Sequence, residues 1–164
     1  MKKNIETPDS ATSNQAFEHG SARAVTIPNT PVKIFTALNR VSFLHFYGAD
    51  HNEIRITKKG NTAFQYWLFK YSEQAKAYQI QCFPFNAYMT AAGGGDVIAT
   101  EDSGADNQFW TITDAGGHFV YIENLQYKKV LEVSRSSTED DTYVLLDRKL
   151  WTNSQMFMLG AEPA

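Results

Sequence analysis

At 164 residues and a net charge of −3, with both signs interspersed, the chain suits one domain with a sizeable core and lacks the basic surface that nucleic acid or an anionic membrane requires. Aromatic residues make up 13% of it (11 Phe, 8 Tyr and 3 Trp), a bias toward pleated, half-buried surfaces and therefore toward strands. The single cysteine, Cys82, excludes an internal disulfide, and no apolar run reaches the roughly 20 residues that a membrane helix needs.

Residues 1–31 are rich in Ser, Thr, Asn and Ala, with Pro8, Pro28 and Pro31 as breakers. Their low hydrophobicity reads as a flexible N-terminal tail, or alternatively as an arm packed on a partner. Met1-Lys2-Lys3-Asn4 opens with positive charge, but no apolar segment of signal-peptide length follows. The expectation is a soluble protein that stays in the cytoplasm or is released by a non-Sec route.

From residue 32 the texture changes to short runs of Val, Ile, Phe and Tyr between turn signals. The runs predict strands over 32–38, 42–47, 53–57 and 64–71, then 78–83, 87–91, 96–100 and 108–113. The last four are 118–123, 129–134, 142–147 and 155–159. Gly48-Ala49-Asp50, Gly60-Asn61, Gly93-Gly94-Gly95 and Gly116-Gly117 mark turns. Helical periodicity of useful length is missing, so the class is all-β with twelve short strands.

Three segments are self-similar: Gln65-Tyr66-Trp67, Gln108-Phe109-Trp110 and Gln155-Met156-Phe157. The glutamines lie 43 and 47 residues apart, enough for four short strands and their turns. An Asn at the end of each first strand (Asn39, Asn86, Asn124) repeats more faintly. No unit of this size buries its apolar face alone, so the three are expected to close around one centre. Trp67, Trp110 and Phe157 would point into it, while Gln65, Gln108 and Gln155 satisfy backbone groups at the start of each last strand.

Three Gln-x-Trp-like motifs in register with twelve strands resemble the ricin B-type (R-type) β-trefoil lectin family, over about residues 32–160. The resemblance implies a β-trefoil of three pseudo-threefold repeats spanning 32–164, no enzymatic activity and no cofactor. It also implies shallow sugar pockets, one per repeat. In the family an Asp in the second strand accepts from sugar hydroxyls, an aromatic after the third strand stacks on the ring, and an Asn before the motif Gln donates.

This chain departs from that pattern in every repeat. His45, Thr90 and Glu132 stand at the Asp position. Thr57 or Lys58, Glu101 and Asp147 stand at the stacking position, and Phe64, Asn107 and Ser154 precede the glutamines. The third repeat is the preferred carbohydrate site, with Glu132, Asp147 and Asn153, and with Tyr143 or Trp151 as the stacking face. Thr90, Glu101, Asp106 and Asn107 form a weaker second candidate. Glycans or glycoproteins are the expected partners, with no nucleic acid; a homo-oligomer or a partner toxin subunit stays open. The alternative is a protein-binding trefoil, a protease inhibitor or a toxin's targeting component, that has lost its sugar pockets.

Other patterns carry less. Gly93–Gly95 lacks the Lys-Ser/Thr and the helix of a phosphate loop. His19, His45, His51 and His118 have no ligand spacing, and Thr138-Glu139-Asp140-Asp141 lacks the alternation of a calcium loop. Neither a nucleophile motif nor a paired carboxylate set stands out, and Cys82 reads as a small core residue.

Overall fold

The computed structural model describes residues 25–48 and 52–160. Its strands, in chain order, are β1 Ile34–Thr36, β2 Phe43–Phe46, β3 Ile54–Thr57 and β4 Trp67–Ser72. The second set is β5 Ala77–Cys82, β6 Tyr88–Ala91, β7 Val97–Thr100 and β8 Trp110–Gly116. The third is β9 Phe119–Asn124, β10 Val130–Val133, β11 Val144–Asp147 and β12 Phe157–Leu159.

Antiparallel pairing runs β1–β12–β9–β8–β5–β4, and a bridge from Val32 to Trp67 returns β4 to the start of the first repeat. Six strands thereby close into a barrel and hide the edges that short strands would expose. The remaining six form hairpins β2–β3, β6–β7 and β10–β11. Bridges Glu53–Ile98, Asp96–Leu145 and Tyr143–Arg55 link each hairpin to the next in a cycle. The architecture is an all-β trefoil of three pseudo-equivalent repeats.

Alternation explains which side chains meet at the centre. Ile34, Ile80 and Ile122 come from the first strands, and Leu44, Met89 and Leu131 from the second; all six are fully buried. Trp67, Trp110 and Phe157 open the fourth strands and are likewise at 0% exposure. Each indole N–H is satisfied inside: Trp67 Nε1 donates to Leu44 O (3.2 Å) and Trp110 Nε1 to Met89 O (3.0 Å). These two carbonyls occupy equivalent places in the second strands. Cys82 is fully buried, and burial pushes its thiol pKa up to about 12.

Two readings of the sequence need correction. Each motif glutamine ends a 3-10 turn (Ala63–Gln65, Asp106–Gln108, Asn153–Gln155) and does not open a strand. The buried glutamine continues the in-out alternation, so the pattern alone runs the strand through it. The three asparagines are also not equivalent. Thr36, Cys82 and Asn124 make the matching bonds that start each second strand, N–H to Ser42 O, Ala87 O and Lys129 O. Asn39 instead sits in the following turn, where its Oδ1 accepts from Val41 and Ser42 N–H. Asn124 Oδ1 does the same for Gln126 and Tyr127 from its own position.

Residues 1–24 of the expected tail lie outside the described residues. Val25 and Ile27, in the described part of the expected tail, are partly buried against the core.

Candidate functional site

The site is built from one hydrogen-bonded unit used three times. In each repeat the 3-10 turn carrying the motif glutamine packs against the second strand, β2, β6 or β10. The side-chain amide pins the loop that leads from the third strand. Gln65 Oε1 accepts from Thr62 N–H (3.2 Å), Gln108 Oε1 from Ser103 N–H (2.8 Å) and Gln155 Oε1 from Leu150 N–H (2.7 Å). The nitrogens donate to Lys59 O (2.9 Å), Glu101 O (2.8 Å) and Arg148 O (2.8 Å). The three amides are at most 1% exposed. Buried polar groups need partners, and here one side chain satisfies a donor and an acceptor of an otherwise irregular loop.

The same nitrogen also reaches the second strand. Gln65 Nε2 meets His45 Nδ1 (3.0 Å), Gln108 Nε2 donates to Thr90 Oγ1 (3.0 Å) and Gln155 Nε2 to Glu132 Oε1 (2.7 Å). The residues at the family's Asp position are therefore all oriented by the motif glutamine, each with different chemistry.

In the third repeat, Glu132 is half-buried on β10, opposite Leu145 of β11. Gln155 holds one carboxylate oxygen; among the described residues nothing bonds the other. Asp147 ends β11 with its carboxylate accepting from Arg148 N–H (2.8 Å). Asn153 opens the 3-10 turn and is exposed, and Ser154 behind it is buried with its hydroxyl bonded to Thr152 (2.9 Å). Trp151 precedes that turn at 67% exposure, the most exposed large hydrophobic side chain among the described residues. Its φ of +63° is strained for a bulky residue. Tyr121 meets the indole edge-on at 5.6 Å, and Lys149 Nζ lies 4.7 Å from the ring centre.

Tyr143 is placed elsewhere. Its hydroxyl accepts from Arg55 (2.9 Å), and the Arg55 guanidinium lies 4.5 Å from its ring and 4.8 Å from that of Tyr47. Asp140 accepts from Lys58 N–H (3.0 Å), which holds its carboxyl below the usual range, and Lys59 Nζ lies 3.4 Å from its other oxygen. Tyr47 donates to Asp141. The acidic run is thus a clasp between the third and first repeats. Sequence reasoning missed it because the partners lie 82 to 94 residues apart. No group of three or more His, Cys, Asp or Glu side chains that could hold a metal occurs among the described residues.

The second repeat is closed. Thr90 is buried, and its hydroxyl donates to Tyr88 O (2.7 Å) while accepting from Gln108. Asn107 Nδ2 donates to Ala91 O (3.1 Å), and its Oδ1 is buried without a partner. Glu101 and Asp106 are exposed. The Thr90 hydroxyl and the Asn107 amide nitrogen are thus turned to internal bonding.

A closed barrel with three glutamine-pinned turns, capped by three hairpins, defines a β-trefoil. A family model described as a ricin-type beta-trefoil lectin domain-like family matches residues 63–147, just over half of the chain. The chain belongs to that family. It is 26% identical over 157 residues to the main hemagglutinin components of types C and D from the Clostridium botulinum C and D phages, covering 92% of this chain and 54% of each relative. It therefore spans about half the length of the curated relatives it matches. Among solved structures, a mosquitocidal holotoxin superposes with a TM-score of 0.75 at 20% identity, over 84% of this chain and 18% of that one. A Macrolepiota procera ricin B-like lectin in complex with lactose gives 0.70 at 18%, over 84% and 99%. At these identities the structural likeness establishes the fold. No helix among the described residues is long and apolar enough to cross a membrane.

Proposed function

We propose that this chain is a carbohydrate-binding lectin and that its third repeat carries the working pocket. The observation that supports this most is the Glu132 carboxylate, fixed at one oxygen by Gln155 and free of described partners at the other. A carboxylate held this way accepts from sugar hydroxyls through charge-assisted bonds. Asp147 and Asn153 add polar groups from the adjoining strand and turn. Trp151 supplies an exposed aromatic surface for the C–H face of a sugar ring, and Tyr143, engaged with Arg55, is left out. The chain binds its glycan and transforms nothing.

The hemagglutinin relatives and the lactose held by the Macrolepiota procera lectin support glycans as the ligand class. One shallow pocket binds weakly, so agglutination by this chain would rest on avidity, through self-association or a partner subunit. The protein-binding alternative has no particular residues in its favour.

Glu132→Gln tests the assignment. The amide oxygen keeps the bond from Gln155, so the fold is retained, but the charge is lost. Binding to a glycan ligand is expected to weaken by about tenfold or more, the scale of one charge-assisted bond. Unchanged affinity in isothermal titration would remove the third repeat from the account.

A further inference from the structure

The three cap hairpins differ most in their connecting loops. Residues 47–53 join β2 to β3, 92–96 join β6 to β7, and 134–143 join β10 to β11. The longest loop therefore belongs to the repeat that carries Glu132. Its first corner, Ser134–Ser136, is a 3-10 turn packed against the turn Asn153–Gln155 that holds the motif glutamine. Arg135 and Ser136 are left-handed there, at φ +55° and +52°. The corresponding turn of the second repeat, Gly93–Gly95, uses glycines for its two left-handed positions, Gly94 and Gly95. A side chain makes that conformation costlier than it is for glycine, so the corner depends on the rest of its loop to hold it.

The loop is held on two sides. At its base Ser134 N–H donates to Tyr143 O (3.0 Å), and buried Thr142 donates through Oγ1 to Glu139 O (2.7 Å). Its far side is fastened to the first repeat. Asp141 N–H donates to Ile56 O and Ile56 N–H to Thr142 O, both at 2.8 Å. Asp140 accepts from Lys58 N–H (3.0 Å), Tyr47 donates to Asp141, and Arg55 donates to the Tyr143 hydroxyl (2.9 Å). Among the described residues, no side-chain hydrogen bond or ion pair joins the other two pairs of cap hairpins, which meet through the backbone bridges Glu53–Ile98 and Asp96–Leu145.

We propose that the loop 134–143 is a brace through which Tyr47, Arg55 and the Lys58 amide of the first repeat position the motif turn of the third. These groups touch no ligand. They hold the loop, the loop holds the turn Asn153–Gln155, and Gln155 in turn orients the Glu132 carboxylate (2.7 Å). They are positioning residues, supplied by one repeat for the site of another. What the turn binds rests on the lectin reading; that the loop holds the turn does not.

Amide hydrogen exchange, followed by NMR on the isotope-labelled full chain without sugar, tests the brace. In the third turn Gln155 N–H donates to Thr152 O and Met156 N–H to Asn153 O; Gln108 to Ala105 O and Phe109 to Asp106 O are the matched pair in the second. Asp140→Ala removes the acceptor of Lys58 N–H, whereas Asp140→Asn keeps one there. The expected result in Asp140→Ala is exchange about fivefold faster at Gln155 and Met156, the scale of a coupling carried between sites, with Gln108 and Phe109 unchanged. Asp140→Asn should exchange like the wild type. Tyr47→Phe, which keeps the ring but loses the bond to Asp141, should act in the same direction as Asp140→Ala. If either Asp140→Ala or Tyr47→Phe leaves the third-turn amides at the wild-type rate, the proposal is overturned. Equal acceleration in both turns, the mark of lost global stability, overturns it too, as does an Asp140→Asn chain that exchanges as fast as Asp140→Ala. With no sugar present, a failed brace leaves the glycan site standing, and a failed glycan site leaves the brace standing.

Discussion

At His45 the bond to Gln65 links protonation to folding. Burial holds the folded-state pKa below the value near 6.5 of a free imidazole, with Asp141 opposing more weakly. Because the folded pKa is depressed, the stabilising contribution is complete above about 6.5 and is lost as pH falls through the folded value. Protonation at Nδ1 would set two donors against each other. His45→Gln can still accept from Gln65 but does not titrate. Urea midpoints compared at pH 7.5 and pH 5 should show the wild type losing more stability than the variant; parallel losses would refute the linkage. The residue scale is also where the sequence was least informative. That His45, Thr90 and Glu132 occupy one position was readable from the repeat. Their shared bond to the motif glutamine was not, since the partners lie 18 to 23 residues away and the bond depends on how a loop folds back. Thr90 looked like a surface group and is buried for that reason. The Tyr143–Arg55 contact, 88 residues apart, left no local trace.

Among the elements, the twelve strands were legible because half-buried antiparallel strands alternate with period two, and each observed strand overlaps an expected one. The boundaries misplaced in the same way in all three repeats fall at the motif glutamines, where a buried polar side chain imitates an inward apolar one. These 3-10 turns hold the site in shape. Gln108 satisfies Ser103 N–H and Glu101 O from a fully buried position, so Gln108→Ala leaves both without their partner. The expected cost is about 2 kcal/mol or more, read from the denaturant midpoint. A loss under about 0.5 kcal/mol, the range of an ordinary surface substitution, would contradict the role given to the motif. Gly60 belongs to the same design. Its φ is +90°, a conformation that strains any residue with a side chain, and a Cβ there would press on Gln65 Nε2 at 3.2 Å.

For the whole molecule, threefold repetition decides both what is conserved in form and what is free to vary. The barrel and its cap need an aromatic at Trp67, Trp110 and Phe157 and a glutamine two residues before each, and all three repeats supply them. The position facing the glutamine is under no such demand, and it holds an imidazole, a hydroxyl and a carboxylate. One scaffold thus sets three different side chains at equivalent places, each bonded to its motif glutamine. The fold was therefore readable from the repeat, whereas the site needed the loops in place. The central claim is that the chain binds glycans, and the most direct measurement is a broad glycan array probed with the purified full chain at high concentration. Saturable binding that free sugar competes away is the predicted result. An array that stays blank under those conditions would contradict the account.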